Sequence, residues 1–208
     1  VQPLVLNLVH VNQYGFIKSR TIQDCLAWAF EYIHQCQQTR SGVLILKLDF
    51  AKAFDTIEHS AILSMLTAFG FPPRWSFWVQ SLLSSGSSSV LLNGTSGKTF
   101  RCRRGVRQGD PLSPLLFVLA ADLLQSIINR AAELGLLTLP LGMQNDGNFP
   151  IVQYADDTII IMRASQRELF TLKAILNSFT TSTGLKVNYD KSCLIPINVS
   201  EEEAATLA

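Results

Sequence analysis

The chain is poor in the residues that usually build metal and redox centres. It holds only 3 histidines and 4 cysteines. Cys25, Cys36, Cys102 and Cys193 form no Cys-x-x-Cys pair, and no histidine falls at a zinc-site spacing. This excludes a zinc module and a dithiol redox motif, and it predicts reduced thiols in an intracellular protein. Charge is also scarce, at 16% of residues against 48% hydrophobic, which excludes a disordered acidic or basic tail. Long apolar runs are missing. Stretches such as Leu115 to Ala121 fall short of the ~18–20 residues that cross a bilayer, so no membrane span is expected. No secretory leader is readable, and Val1 in place of Met predicts a chain cut from a longer one.

What is there suffices for a core. A length of 208 residues fits one ordinary domain or two small ones. A chain of this size buries about 70% of its unfolded surface on folding. Net charge is +1, which by itself says nothing about nucleic acid. Locally, Lys98, Arg101, Arg103, Arg104 and Arg107 cluster with no acidic residue among them. Such a patch can neutralise phosphates. Taken alone, it reads better as a charged strand edge kept in solvent.

The order of elements points to an α+β fold. Thr21 caps a helix to Gln38, and Val43 to Asp49 is a buried strand ending on a carboxylate. Ser60 to Phe69 is a short helix stopped by Gly70, and Pro72-Pro73 opens another containing Trp75 and Trp78. Ser88 to Leu92 and Lys98 to Cys102 flank the hairpin cue Asn93-Gly94. From Ser113-Pro114 a long apolar helix is expected to reach Leu134, followed by a loop from Leu136 to Asn148. Ile151 to Tyr154 and Thr158 to Met162 form a second hairpin around Ala155-Asp156-Asp157. Ser165 with Glu168 starts a helix ending near Gly184. Lys186 to Ile197 is extended, and Ser200 with Glu203 begins a last helix. Two hairpins require antiparallel pairing. The expected fold is therefore an antiparallel sheet with a split βαβ, ferredoxin-like core and helices packed on one face.

The chemistry concentrates in carboxylates. Asp156 and Asp157 are adjacent between segments rich in Ile and Val. Like charges this close repel unless solvent or a cation compensates. An isolated Asp-Asp pair is usually just an exposed turn. Asp49 changes the balance, because its strand, if paired beside the hairpin, would bring the carboxylates together. Carboxylate oxygens suit Mg²⁺, and two such ions about 3.5–4 Å apart can bridge an attacking and a leaving oxygen. A third element, Arg104-Gly-Val-Arg-Gln-Gly-Asp-Pro-Leu-Ser-Pro114, places glycines, an amide and arginines before a helix start, where anions are favoured.

These segments resemble the reverse transcriptase domain of LINE-type, non-LTR retrotransposons, closest to those of plants. Lys47 to Asp55 is similar to the first catalytic motif, and Gly105 to Pro114 to the substrate- and template-contacting motif. Tyr154 to Asp157 is similar to the aromatic-x-Asp-Asp motif, and Gly184 to Ser192 to the one that follows. Gln13 to Arg20 resembles the fingers motif upstream. The resemblance implies partial fingers over 1–42 and a palm over 43–197 with a fingers-like insertion near 70–110. Residues 198–208 would begin the connection to a missing thumb, and endonuclease regions would lie elsewhere in the full protein.

It further implies that Asp49, Asp156 and Asp157, with the main chain of Phe50, hold two Mg²⁺ ions, for which Mn²⁺ can substitute. Phe54 would exclude a ribose 2′-hydroxyl. Arg107, Gln108 and Gly109 would contact nucleotide and template, and Arg20 would help hold template or triphosphate. Lys191 would protonate the departing pyrophosphate. The implied partners are an RNA template, a DNA primer and dNTPs, and the implied site of action is the nucleus. Two other readings fit the same residues. One is an inactive, element-derived nucleic-acid-binding remnant. The other is an RNA-dependent RNA polymerase, against which Phe54 argues. As ordinary structure, Phe54 would be a core aromatic and Lys191 a solvated surface lysine.

Overall fold

The computed structural model describes residues 2–142 and 148–207. In chain order the elements are α1 (Gln2–Leu8), α2 (Ile22–Gln38), β1 (Val43–Leu48), α3 (Ala53–Thr56), α4 (His59–Ala68) and α5 (Pro73–Ser85). Four short strands follow, β2 (Ser87–Ser88), β3 (Leu91–Leu92), β4 (Thr95–Ser96) and β5 (Phe100–Arg101). Then come α6 (Ser113–Ala121), α7 (Leu123–Glu133), β6 (Ile151–Tyr154), β7 (Asp157–Arg163), α8 (Gln166–Thr183), β8 (Cys193–Ile197) and α9 (Glu201–Leu207).

The central sheet has the order β6-β7-β1-β8, with every neighbour antiparallel. β1 is therefore an inner strand, as its unbroken Val43-Leu-Ile-Leu run requires. Residues alternate between faces. Leu44, Leu46 and Leu48 join Ile160 and Met162 in the main core, with Phe117 of α6, Leu124 and Ile128 of α7 and Phe179 of α8. Val43, Ile159 and Ile161 point the other way and meet Tyr32, Ile33 and Cys36 of α2. Val152 packs there on Cys25 and Ala29. Helices on one face alone was thus the wrong expectation. Strands apolar on both sides need a cover on both sides, and α2 supplies the second one.

Local signals set the helix ends. The Thr21 side chain accepts the Asp24 amide, Ser165 accepts that of Glu168, and Gly184 closes α8 in the left-handed region. The ribbon before α6 is more broken than expected. β3 and β4 flank Asn93 and Gly94, both at positive φ, while β2 and β5 pair separately at the base. Val90, Leu91 and Leu92 are exposed, so no core holds a longer ladder together. Trp75 packs on the core, whereas Trp78 is exposed under the guanidinium of Arg74.

The expected helix from Ser113 to Leu134 is interrupted at Asp122, whose ψ of −18° departs from the α value. Its buried carboxylate accepts the His10 amide at 2.9 Å, a partner 112 residues away. Across this break, Ser113–Glu133 is 21 residues long and apolar enough to cross a membrane by length and composition. That exceeds the apolar runs counted in the sequence. α6 is nevertheless buried on all sides by protein, as a core helix is. Of the predicted loop from Leu136 to Asn148, residues 143–147 lie outside the described residues.

Burial pushes the Asp122 carboxyl up to about 6 from 3.8, against the opposing pull of the His10 amide and of Arg20. Between those two values the folded state binds more protons than the unfolded one, so stability falls as pH rises through the window. The penalty is complete above about pH 6 and is on the order of 3 kcal/mol. Asp122→Asn keeps an oxygen for His10. It should flatten this slope in thermal melts across the window and raise stability at neutral pH.

Candidate active site

The site is built where β1 and β7 end side by side. Their ladder runs from Val43 opposite Arg163 to Leu48 opposite Thr158. Asp49 and Asp157 are the next residues on each strand toward the same end. Leu48 and Phe50 both turn into the main core, where Phe50 lies 5.9 Å from Phe179 between ring centroids. Asp49, between them, is directed to the opposite face. Asp157 has the same parity, one residue from buried Thr158. Its charge is felt on that face: burial, and then the Asp157 carboxylate, push up the Cys25 thiol of α2. The structure therefore brings Asp49 and Asp157 to one face and one end of the sheet.

Asp156 occupies the two-residue turn Ala155-Asp156, closed by the pair Tyr154 and Asp157. Among the described residues, no ion pair engages Asp49, Asp156 or Asp157. Nor, among the described residues, do any three His, Cys, Asp or Glu side chains form a group that could hold a metal ion. The donor set consists of carboxylates free of counter-cations at a strand end, and it fits a hard divalent ion by its chemistry. Phe50 bridges Val187 through the Asn188 amide to the Asp49 carbonyl and the Ala51 amide to the Lys186 carbonyl, both at 2.8 Å. In such a pair the bridging residue's own carbonyl points away from its partner, here toward the β7 side.

Lys191 is exposed in the turn after that bridge. Its neighbour Ser192 accepts the Asp49 amide at 3.1 Å and donates to the Asn188 carbonyl at 2.7 Å. The lysine turn is thus tied to the Asp49 main chain by a residue given no role in the sequence reading.

Phe54, half-buried in α3, packs against the main core. Its ring stacks on Phe117 at 4.7 Å and 14° and receives Phe16 edge-on at 6.1 Å. The Phe54 carbonyl accepts the Val106 amide at 2.7 Å, the Ile57 carbonyl accepts that of Gly105 at 2.7 Å, and Glu58 bridges Arg104. With Val106 buried in the core, these contacts deliver Arg107, Gln108 and Gly109, all exposed, to the rim of a cleft. The cleft measures about 830 Å³ and is lined by Asp55, His59, Arg104, Arg107, Gln108 and Asp110, among others. Gly109, at φ 86°, faces open space.

Arg20 does not point toward such a cleft. Its guanidinium donates to the carbonyls of His10 and Gln13 at 2.6 Å each and of Leu6 at 3.3 Å. It acts as a main-chain clamp. The residues it clamps run beside the Asp-Asp turn. Gln13 bridges Gln153 in parallel and accepts the Ala155 amide on its side-chain oxygen. Gln13 and Gly15 were visible only as part of a motif, since an amide two residues before a glycine carries no signal of its own.

The family described as "Reverse transcriptase (RNA-dependent DNA polymerase)" matches residues 1–200. The Pol polyprotein from type-1 retrotransposable element R2 of Popillia japonica is 29% identical over 170 residues, covering 81% of this chain and 23% of that protein. That of type-2 element R2DM of Drosophila melanogaster is 32% identical over 166 residues, covering 78% and 15%. The chain thus spans less than a quarter of these relatives. Apo telomerase from Candida tropicalis, truncated from its C-terminal domain, shares the fold with a TM-score of 0.66 at 14% identity, over 96% of this chain and 40% of that one. The placement of the aspartates and the match along nearly the whole length agree: the chain belongs to the reverse transcriptase (RNA-dependent DNA polymerase) family, in the branch carried by non-LTR retrotransposons.

Proposed function

We propose that this chain extends a DNA primer's 3′-hydroxyl on an RNA template with dNTPs, acting as the palm and part of the fingers of a larger protein. The observation that carries the reading is the emergence of Asp49 and Asp157 on one face of paired strands, beside Asp156 and with no ion pair among the described residues. Asp49, Asp156, Asp157 and the Phe50 carbonyl would hold two Mg²⁺ ions, or Mn²⁺ in their place. Metal held there would supply Lewis acidity for the primer hydroxyl and the leaving pyrophosphate. The protein contributes position and charge compensation. Arg107, Gln108 and Gly109 orient nucleotide and template at the cleft rim. Lys191, exposed on the turn tied to Asp49, returns a proton to pyrophosphate.

The strand order β6-β7-β1-β8 supports a split βαβ, ferredoxin-like palm over 43–197, with residues 70–110 as a fingers-like insertion. Residues 1–42 serve as partial fingers, and 198–208 lead toward a thumb. Sequence choice rests with base pairing, so the protein grips backbone shape. The place of action is the nucleus, where a chromosomal target would be met. The test is primer extension on RNA by the full protein in Mg²⁺ and in excess chelator. Extension that persists in chelator would remove the metal reading.

Phe54 sits on Phe117 as a rigid plate, and its bulk under the sugar would reject a 2′-hydroxyl. Phe54→Ala should raise rNTP incorporation relative to dNTP by about tenfold or more, the scale of a lost steric contact in a pocket. The ratio of the two kcat/KM values reports this independently of how much active protein is present. An unchanged ratio would count against the gate.

A further inference from the structure

The turn that carries Asp156 is held from outside the central sheet. Residues 12–14 lie along β6. The Gln153 amide donates to the Asn12 carbonyl at 2.9 Å, and the Tyr14 amide to the Gln153 carbonyl at 2.8 Å. Gln13 is fully buried, and its side-chain oxygen accepts the Gly15 amide at 2.9 Å and the Ala155 amide at 3.3 Å. Gly15 is pressed onto the turn itself, since a Cβ there would stand 2.1 Å from the Ala155 nitrogen.

Ala155 needs such support. It sits at φ 59°, in the left-handed region, although it is not glycine. That conformation costs an L-residue roughly 1–2 kcal/mol and persists where the surroundings over-determine it. Gln13 also leaves its own Nε2 buried with no partner among the described residues. A leucine would fill the space without that cost, so the carboxamide is kept for its oxygen. Arg20, meanwhile, clamps the strap through the Gln13 main chain and not through its side chain.

We propose that Gln13 is a positioning residue for the metal site. By holding the Ala155 amide, its side-chain oxygen fixes the turn and aims Asp156 and Asp157 at a divalent cation. This rests on the reading of those aspartates as cation ligands. Because the strap keeps its main-chain bonds without the side chain, removal of the oxygen should loosen the turn and spare the fold.

The experiment is Mn²⁺ binding by the full protein, followed by electron paramagnetic resonance. Hydrogen exchange over residues 151–158 and affinity for an RNA–DNA duplex are measured alongside. Gln13→Leu should weaken Mn²⁺ binding about tenfold, the usual effect of losing support behind a metal ligand. It should also speed exchange at Ala155 and leave duplex affinity unchanged. Gln13→Glu keeps an acceptor oxygen and should restore Mn²⁺ affinity. A folded Gln13→Leu protein that binds Mn²⁺ like the parent overturns the proposal. So does a loss of Mn²⁺ affinity matched by an equal loss of duplex affinity. If the leucine protein does not fold, Gln13→Asn, which draws the oxygen back by one methylene, decides on the same readouts. Asp156→Asn is the reference. If it also binds Mn²⁺ as the parent does, the cation reading falls and the Gln13 role falls with it. If it alone is weakened, only the Gln13 role falls.

Discussion

Replacing Asp156 with Asn should lower Mg²⁺-dependent primer extension on the order of a thousandfold, the scale at which loss of one preorganised electrostatic partner acts on a transition state. The substitution is isosteric and removes the charge along with one acceptor oxygen. Asp156 lies half-exposed in a two-residue turn, where Asn is as welcome as Asp. Among the described residues its carboxylate takes part in no ion pair whose loss could unfold the protein. Melting temperature should therefore stay close to the parental value, with a stability change within about 0.5 kcal/mol. Single-turnover extension rates at saturating template and dNTP, with thermal melts of the same preparations, separate the two quantities. Equal rates for the two proteins would end the catalytic assignment of the turn.

Gly105→Ala should produce a large loss of stability, and its cause is local. Gly105 holds φ 81°, and an added Cβ would lie 2.8 Å from the Asp55 carbonyl oxygen and 3.0 Å from the Asp55 Cα. The obstacle is backbone, which cannot swing aside as a side chain can. The left-handed conformation costs about 1–2 kcal/mol, and relieving the overlap adds about 1–3 kcal/mol. For a chain of this size the sum corresponds to a fall in Tm of roughly 4–20 °C. The same shift would pull the Val106 amide from the Phe54 carbonyl and move Arg107 to Gly109 away from Phe54. KM for dNTP should then rise in whatever fraction remains folded. A melting temperature within a degree of the parent's would show that this contact is softer than the geometry requires.

The carboxylates were legible because their surroundings were. An apolar strand that ends on Asp49, and a β-rich hairpin that interrupts itself with two aspartates, are patterns local enough to read along the chain. The helix caps at Thr21 and Ser165 were equally local. What escaped depended on partners far away in sequence. The tie between the Asp122 carboxylate and the His10 amide is invisible to a helical period, because its partner lies 112 residues away. Arg20 carried a generic cation's promise of phosphate, yet it is occupied by carbonyls of its own segment. The second helical cover was implied by the unalternating Val43 to Leu46 run, but that pattern does not say which helix supplies it. The ribbon near Asn93-Gly94 kept its turn and lost its length for want of anything to pack against.

The clamp between Gln13 and Ala155 joins residues 142 positions apart. A chain made from its N-terminus on the ribosome exposes the strap early and its docking place late. Long-range closures of this kind are slow, and unfilled edges invite wrong pairing while they wait. The Ala155-Asp156 turn is therefore expected to be among the last parts to acquire its shape during synthesis. Until then, the nascent chain carries its acidic residues without the geometry to use them.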